Sequence, residues 1–223
     1  MLFGNTIMFP KTTIIGKKIP KQRFYDNVEL STSLKNKFVE QIEGIVFANK
    51  FSKDTLNIPK TDEIEEVFVF DITLKETKFI DEIEDVLTVI DRSVPYPILY
   101  KFNIREFVVY KIAYKKRNQN DINKSVVVVY LTKKIPIDEL DSFKKEIDVI
   151  FNALNMKILY ENILKLFLHE QKGSVEESVE DEKNCLAVEK EIGRLEKLMI
   201  HEKQADKQFE IHNSIKKLRR KLK

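Results

Sequence analysis

Glu65, Glu66, Asp71 and Lys75 fall close together in the chain. Carboxylates gathered with a lysine can hold a divalent ion and stabilise charge building on a phosphate, so the chemistry they would support is metal-assisted phosphodiester cleavage. That chemistry also needs a neighbouring strand with an acid two residues before a lysine. The following stretches offer lysines, and Glu106, at a turn, is their only well-placed acid. The plainer alternative has Glu65 and Glu66 opening a strand and Asp71 facing solvent.

A second group lies in "PYPILYKFNIREFVVYKIAYKKR", residues 95–117. Tyr100, Tyr110 and Tyr114 could stack bases while Lys101, Lys111, Lys115, Lys116 and Arg117 hold phosphates. Equally, tyrosines suit a pleated surface, and lysines mark solvated or edge positions. An even turn over residues 103–106 would send Tyr100 and Tyr110 to opposite faces and spoil a shared stacking platform. We expect this stretch to be mainly sheet, with Lys115, Lys116 and Arg117 as a rim contact.

The third group ends the chain. Lys216, Lys217, Arg219, Arg220, Lys221 and Lys223 follow Ile211 with no acid among them. Cations favour a helix C-terminus, but six exceed what capping requires. The surplus points to nucleic acid or an acidic partner. The balance of charge agrees. Residues 183–223 carry 12 basic and 6 acidic side chains, whereas the rest of the chain carries 27 and 30.

Other chemistries find no support. His201 and His212 stand eleven apart without a second cysteine, and Cys185 has acidic neighbours, the wrong setting to activate a thiol. A single cysteine excludes an internal disulfide. Neither a G-x-S-x-G elbow, a Walker loop nor a dinucleotide fingerprint occurs. We expect no cofactor and no metal. The longest apolar runs fall far short of the roughly 18–20 residues of a spanning helix, and the N-terminus lacks the basic start of a signal peptide. A cytoplasmic protein with an N-terminal arm tucked onto its body is expected.

These residues need elements to place them. Leu34, Phe38, Ile42, Ile45 and Val46 recur at helical spacing, which predicts a helix over residues 32–50. Residues 65–75 alternate as a strand, with Phe68, Phe70, Ile72 and Leu74 on one side. A short amphipathic helix follows at 79–91, burying Ile80, Ile83, Leu87 and Ile90. Strands are expected at 98–103 and 106–115. "SVVVVYLT" is apolar on both faces and suits a central strand. Residues 138–169 read as one long helical pattern. The acidic "QKGSVEESVEDEKN" reads as a linker. Beyond it, Val188, Ile192, Leu195 and Met199, then Ile211, Ile215, Leu218 and Leu222, mark two amphipathic pieces joined by a stutter or bend.

Four stretches together resemble a bacterial and archaeal family that carries only a domain-of-unknown-function label. They are "KKIPKQRFY" (17–25), "FSKDTLNIPKTDEIEEVFVFDITLK" (51–75), "IDRSVPYPILYKF" (90–102) and "EIGRLEKLMIHEKQADKQFEIHNSIKKLRRKL" (191–222). The family tail is of the type L-E-x-x-(I/M)-x-x-E-K-Q-F-N-x-K-V-E-x-N. Leu195, Glu196, Met199, Glu202, Lys203 and Gln204 match it. Lys207, Gln208, Phe209 and Asn213 match with displaced spacing. The resemblance implies a setting: genes beside helicases, adenine-specific DNA methyltransferases and type III-like restriction genes in phage-defence islands. It brings no catalytic residues.

The expectation is therefore an α+β domain over residues 1–169, with a mixed or antiparallel sheet of about four strands and packed helices. A linker at 170–184 leads to a helical or coiled-coil tail at 185–223. The expected function is that of a non-enzymatic accessory subunit of a DNA-modification or defence system. Its tail would bind a helicase or methyltransferase or self-associate, and DNA would meet Lys115, Lys116, Arg117, Lys216, Lys217, Arg219, Arg220 and Lys221. A metal-dependent nuclease and a stand-alone nucleic-acid-binding module are the alternatives.

Overall fold

The computed structural model describes residues 8–25, 30–117, 125–171 and 173–222. Six strands form one mixed sheet: β1 (Ile14–Lys18), β2 (Ile42–Phe51), β3 (Val67–Leu74), β4 (Ile98–Ile104), β5 (Phe107–Arg117) and β6 (Ser125–Pro136). They lie side by side in chain order. Every neighbouring pair is antiparallel except β3 and β4, which run parallel. The described helices are α1 (Gln22–Tyr25), α2 (Thr32–Gln41), α3 (Lys53–Leu56), α4 (Glu84–Ser93), α5 (Leu140–Ile150), α6 (Met156–Lys165), α7 (Val175–His201) and α8 (Ala205–Arg219). The protein is thus α+β, with six strands among the described residues where about four were expected. It divides into two compact units, Met1–Phe167 and Leu168–Lys223.

The two unexpected strands flank β3 on one side. Helical spacing carries α2 only to Gln41, where Ile42 turns extended while its N–H still bonds Phe38 O. The apolar residues continue as β2. The register of β2 against β3 slips between Ile42 and Gly44 and again between Phe47 and Asn49. Such bulges let Ile42 and Ile45, three apart, both enter the core, which an unbroken strand forbids. A strand interrupted in this way mimics helical spacing. β1 is short and exposed, and Gly16 takes φ +66° where its register shifts.

β3 follows its alternation. Phe70 and Ile72 face the same core as Ile98, Tyr100 and Phe102 of β4. Leu87, Ile90 and Phe38 cover that face from α4 and α2. The opposite face receives α5, whose Phe143 ring lies 5.5 Å from that of Tyr110. The pattern over 138–169 is two helices, not one. Asn155 breaks it and caps α6, accepting from Ile158 N at 3.0 Å. β6, expected in the middle of the sheet, lies at its end beside β5 alone. Of the N-terminal arm, Met8 and Phe9 are buried, Phe9 against Phe51, and residues 1–7 lie outside the described residues.

In the second unit, the stretch expected as a linker from residue 175 onward is the start of α7. Ser174 Oγ accepts from Glu177 N at 3.2 Å, and Glu177 Oε2 accepts from Ser174 N at 3.1 Å. This capping box starts the helix, and the acids that follow suit its positive end. α7 stops at His201. Glu202 Oε1 accepts from Lys203 N and Gln204 N, which closes a tight turn without glycine or proline. α8 then returns along α7. Arg219 Nη2 reaches Glu196 Oε1 at 2.7 Å, a pair 23 positions apart. Ile192, Leu195 and Ile215 are buried between the two helices. The expected bend is a full reversal, and the tail is a helical hairpin.

Candidate functional site

The rim expected at residues 115–117 is built differently from the expectation. Lys115 turns inward: only 5% of its side chain is exposed, and Asp91, at the end of α4, has none. Its ammonium donates to the carbonyls of Asp91 (3.2 Å), Val94 (3.3 Å) and Tyr96 (3.0 Å). Asp91 Oδ1 lies 2.8 Å from the ammonium and balances its charge. Tyr130 OH donates to Asp91 Oδ2 at 2.6 Å. Tyr160 OH donates to Ala113 O at 2.7 Å and accepts from Lys115 N at 3.3 Å.

Burial depresses the Lys115 ammonium, with Asp91 acting against it. Burial, and then the Asp91 charge, push the Tyr130 hydroxyl far up. The set neutralises the negative end of α4 and pins it to β5. Lys115 is therefore no rim contact, because its partner lies 24 positions back in the chain. The readable signal was Asp91 itself, four residues after Leu87 and in phase with the apolar stripe of α4. Lys116 is exposed, its ammonium 6.0 Å from the Tyr114 ring centre. Arg117 ends β5, and its side chain lies outside the described residues.

Tyr100 and Tyr110 do face opposite sides. Tyr100 pairs in register with Lys111, and Lys101 with Tyr110. Both tyrosines are buried, at 0% and 1% exposure, so neither offers a surface for a base to stack on.

The carboxylates around β3 do not converge. Glu65 pairs with Lys60 at 3.1 Å and Glu66 with Lys50 at 2.6 Å. Asp71 is held across the sheet by Lys101 at 3.7 Å. Among the described residues no three histidine, cysteine, aspartate or glutamate side chains gather as a metal site. Asp71 does not simply face solvent. Among the described residues its Oδ1 is buried without a hydrogen-bond partner, as is the Tyr110 hydroxyl in the same cross-strand row. Burial raises the Asp71 carboxyl, with Lys101 opposing. Burial and the Asp71 charge raise Tyr110.

The tail presents the remaining cations together. Lys216, Lys217, Arg219, Arg220 and Lys221 are all exposed at the end of α8, while Ile215 and Leu218 turn into the hairpin seam. Arg219 is engaged by Glu196. Among the described residues, Lys216, Lys217, Arg220 and Lys221 have no acidic partner. In the body, Lys50, Lys60, Lys101, Lys111, Lys115 and Lys133 each face a carboxylate, while cations such as Lys17, Lys18 and Lys75 are more dispersed along the chain. The end of α8 can hold anions, with adjacent turns offering charges one helical pitch apart.

Fold and site together define an α+β protein whose mixed sheet carries helices on both faces and whose C-terminal unit is a helical hairpin with a cationic end. Residues 7–222 match the family described as "Domain of unknown function (DUF4391)", and the chain belongs to that family. No curated protein matches the chain. No solved structure matches it. Among the described residues no helix is long and apolar enough to cross a membrane.

Proposed function

We propose that the chain is a non-catalytic accessory subunit of a DNA-modification or phage-defence assembly, and that it engages nucleic-acid phosphates through the end of α8. One observation carries the reading: four exposed cations lie within six residues at the end of one helix and lack acidic partners among the described residues. Phosphate contacts of this kind supply affinity and position without reading sequence. The hairpin supports the role because it presents the cations on a helix already held by its own seam. The assembly, with a helicase or methyltransferase as partner, is inferred from the family resemblance.

Titration of duplex DNA with the full chain over a salt series tests this. Four phosphate contacts give a slope of log affinity against log salt of about −3 to −4. Replacing Lys216, Lys217, Arg220 and Lys221 by glutamine should remove that slope, each residue contributing about one. Unchanged affinity in the fourfold variant would overturn the proposal. Cleavage of DNA with Mg²⁺ or Mn²⁺, lost in Asp71→Ala, would favour a nuclease instead.

A further inference from the structure

We infer that the connected end of the tail hairpin is a self-association surface, whose occupant is the same hairpin of a second copy of this chain. The inference concerns a different surface from the phosphate-binding one and does not depend on it.

Two helices cannot enclose a seam by themselves. Of the residues along this one, Ile192, Leu195 and Ile215 are buried, while Val188, Met199, Ile211, Leu218 and Leu222 remain half covered. Helical pairs of this kind complete their core when a second pair packs across them, as in four-helix bundles. Near the connection the exposure grows. Ile200 is 75% exposed and Phe209 67%, in the last turn of α7 and the first turns of α8, while Leu198, 46% exposed and two residues before Ile200, lies on the other side of α7. Large apolar side chains left exposed beside the connection of an otherwise charged hairpin offer a contact surface.

Charge chooses the occupant. Residues 197–210 carry Lys197, Lys203 and Lys207 against Glu202, Asp206 and Glu210, so this end is balanced. The far end of α8 is cationic only. A nucleic acid is drawn to that far end and gains nothing at a neutral one. A two-fold contact suits a balanced surface, because each lysine of one copy can meet an acid of the other and the reverse holds across the axis. Apolar side chains at the centre with mixed charge around them form the usual anatomy of a protein contact. A dimer formed there would carry two cationic ends, so binding at one would raise the effective concentration of the other along a shared duplex.

Sedimentation equilibrium of the full chain from low to high micromolar concentration tests the inference. The expected mass is that of two chains at the upper end, falling to one on dilution. Ile200→Glu with Phe209→Glu should give one chain throughout, with helix content by circular dichroism unchanged. A wild-type mass of one chain at every concentration overturns the inference, as does a mass that doubles only when duplex DNA is added. A folded double variant that still pairs also overturns it. If that variant loses helix, Lys203→Glu with Lys207→Glu decides, because it keeps the apolar side chains and makes both copies acidic there. Weaker pairing at low salt, recovered at high salt, supports the inference, and an unchanged mass overturns it. Nucleic-acid affinity of the monomeric variant reports separately on the cationic end.

Discussion

Lys115 Nζ lies 2.8 Å from Asp91 Oδ1, both side chains almost entirely out of water, and this pair joins the last turn of α4 to the outer half of β5. An ammonium this deep would be costly alone. Here three backbone carbonyls at and just beyond the end of α4 accept its hydrogen bonds, and one carboxylate balances its charge.

Removing the ammonium should therefore be severe. Lys115→Met leaves the Asp91 charge buried and should cost about 3–5 kcal/mol in urea unfolding. Adding Asp91→Leu should recover a large part of that loss, since the pair is far cheaper to remove whole than to halve. A loss in the single variant below about 1 kcal/mol, the range of an exposed pair, would contradict the burial described.

Two tyrosines in the body should respond oppositely to loss of the hydroxyl. Tyr130 donates to Asp91, so Tyr130→Phe should cost about 1.5–3 kcal/mol, the range for hydrogen bonds to charged groups. The Tyr110 hydroxyl is buried without a partner, so Tyr110→Phe should be neutral or stabilising. Thermal or urea unfolding of the two variants side by side checks the contrast.

Asp71 predicts a pH dependence. Burial raises its folded pKa above the ordinary carboxylate value. A raised acid binds more protons in the folded state, so its unfavourable contribution is absent at low pH and grows as pH climbs through the folded pKa. Asp71→Asn should match wild type in acid and exceed it in stability near neutrality. Unfolding midpoints measured from pH 3 to 7 test the sign, and an asparagine variant less stable at neutrality would refute it.

The start of α7 rests on local chemistry. Ser174→Ala should cost about 1 kcal/mol of helix stability through the lost cap. Gly173 holds φ +62°, and a Cβ there would meet the Glu177 carboxylate. Gly173→Ala should therefore disturb backbone and capping box together. Hydrogen exchange over residues 175–180 should accelerate in both variants while the β5–β6 ladder keeps its protection.

Alternation made β3 legible, and a short polar turn placed β4 and β5 and sent Tyr100 and Tyr110 to opposite faces. The α8 cations were legible because nothing acidic lies near them in the chain. Other features hid behind distance or ambiguity. The bulges of β2 reproduced helical spacing, so Ile42 and Ile45 read as part of α2. An acid-rich stretch is equally a solvated linker and the first turns of a well-capped helix, and only the reciprocal bonds of Ser174 and Glu177 separate the two. Lys115 reads as a solvated cation until folding brings Asp91 beneath it. β6 reads as central because its valines are apolar on both faces, yet it has a neighbour on one side only.

The parallel contact of β3 and β4 has a consequence for how the chain reaches its native state. β1 to β3 and β4 to β6 are each antiparallel runs that successive segments can zip together. Their union cannot form in that way, since residues 75–97 must first cross over and lay α4 on the sheet. Closing that crossover is the slow, entropically opposed event of assembly. Core truncations at Ile72 or Phe102, on the joining seam, should therefore slow refolding more than they accelerate unfolding.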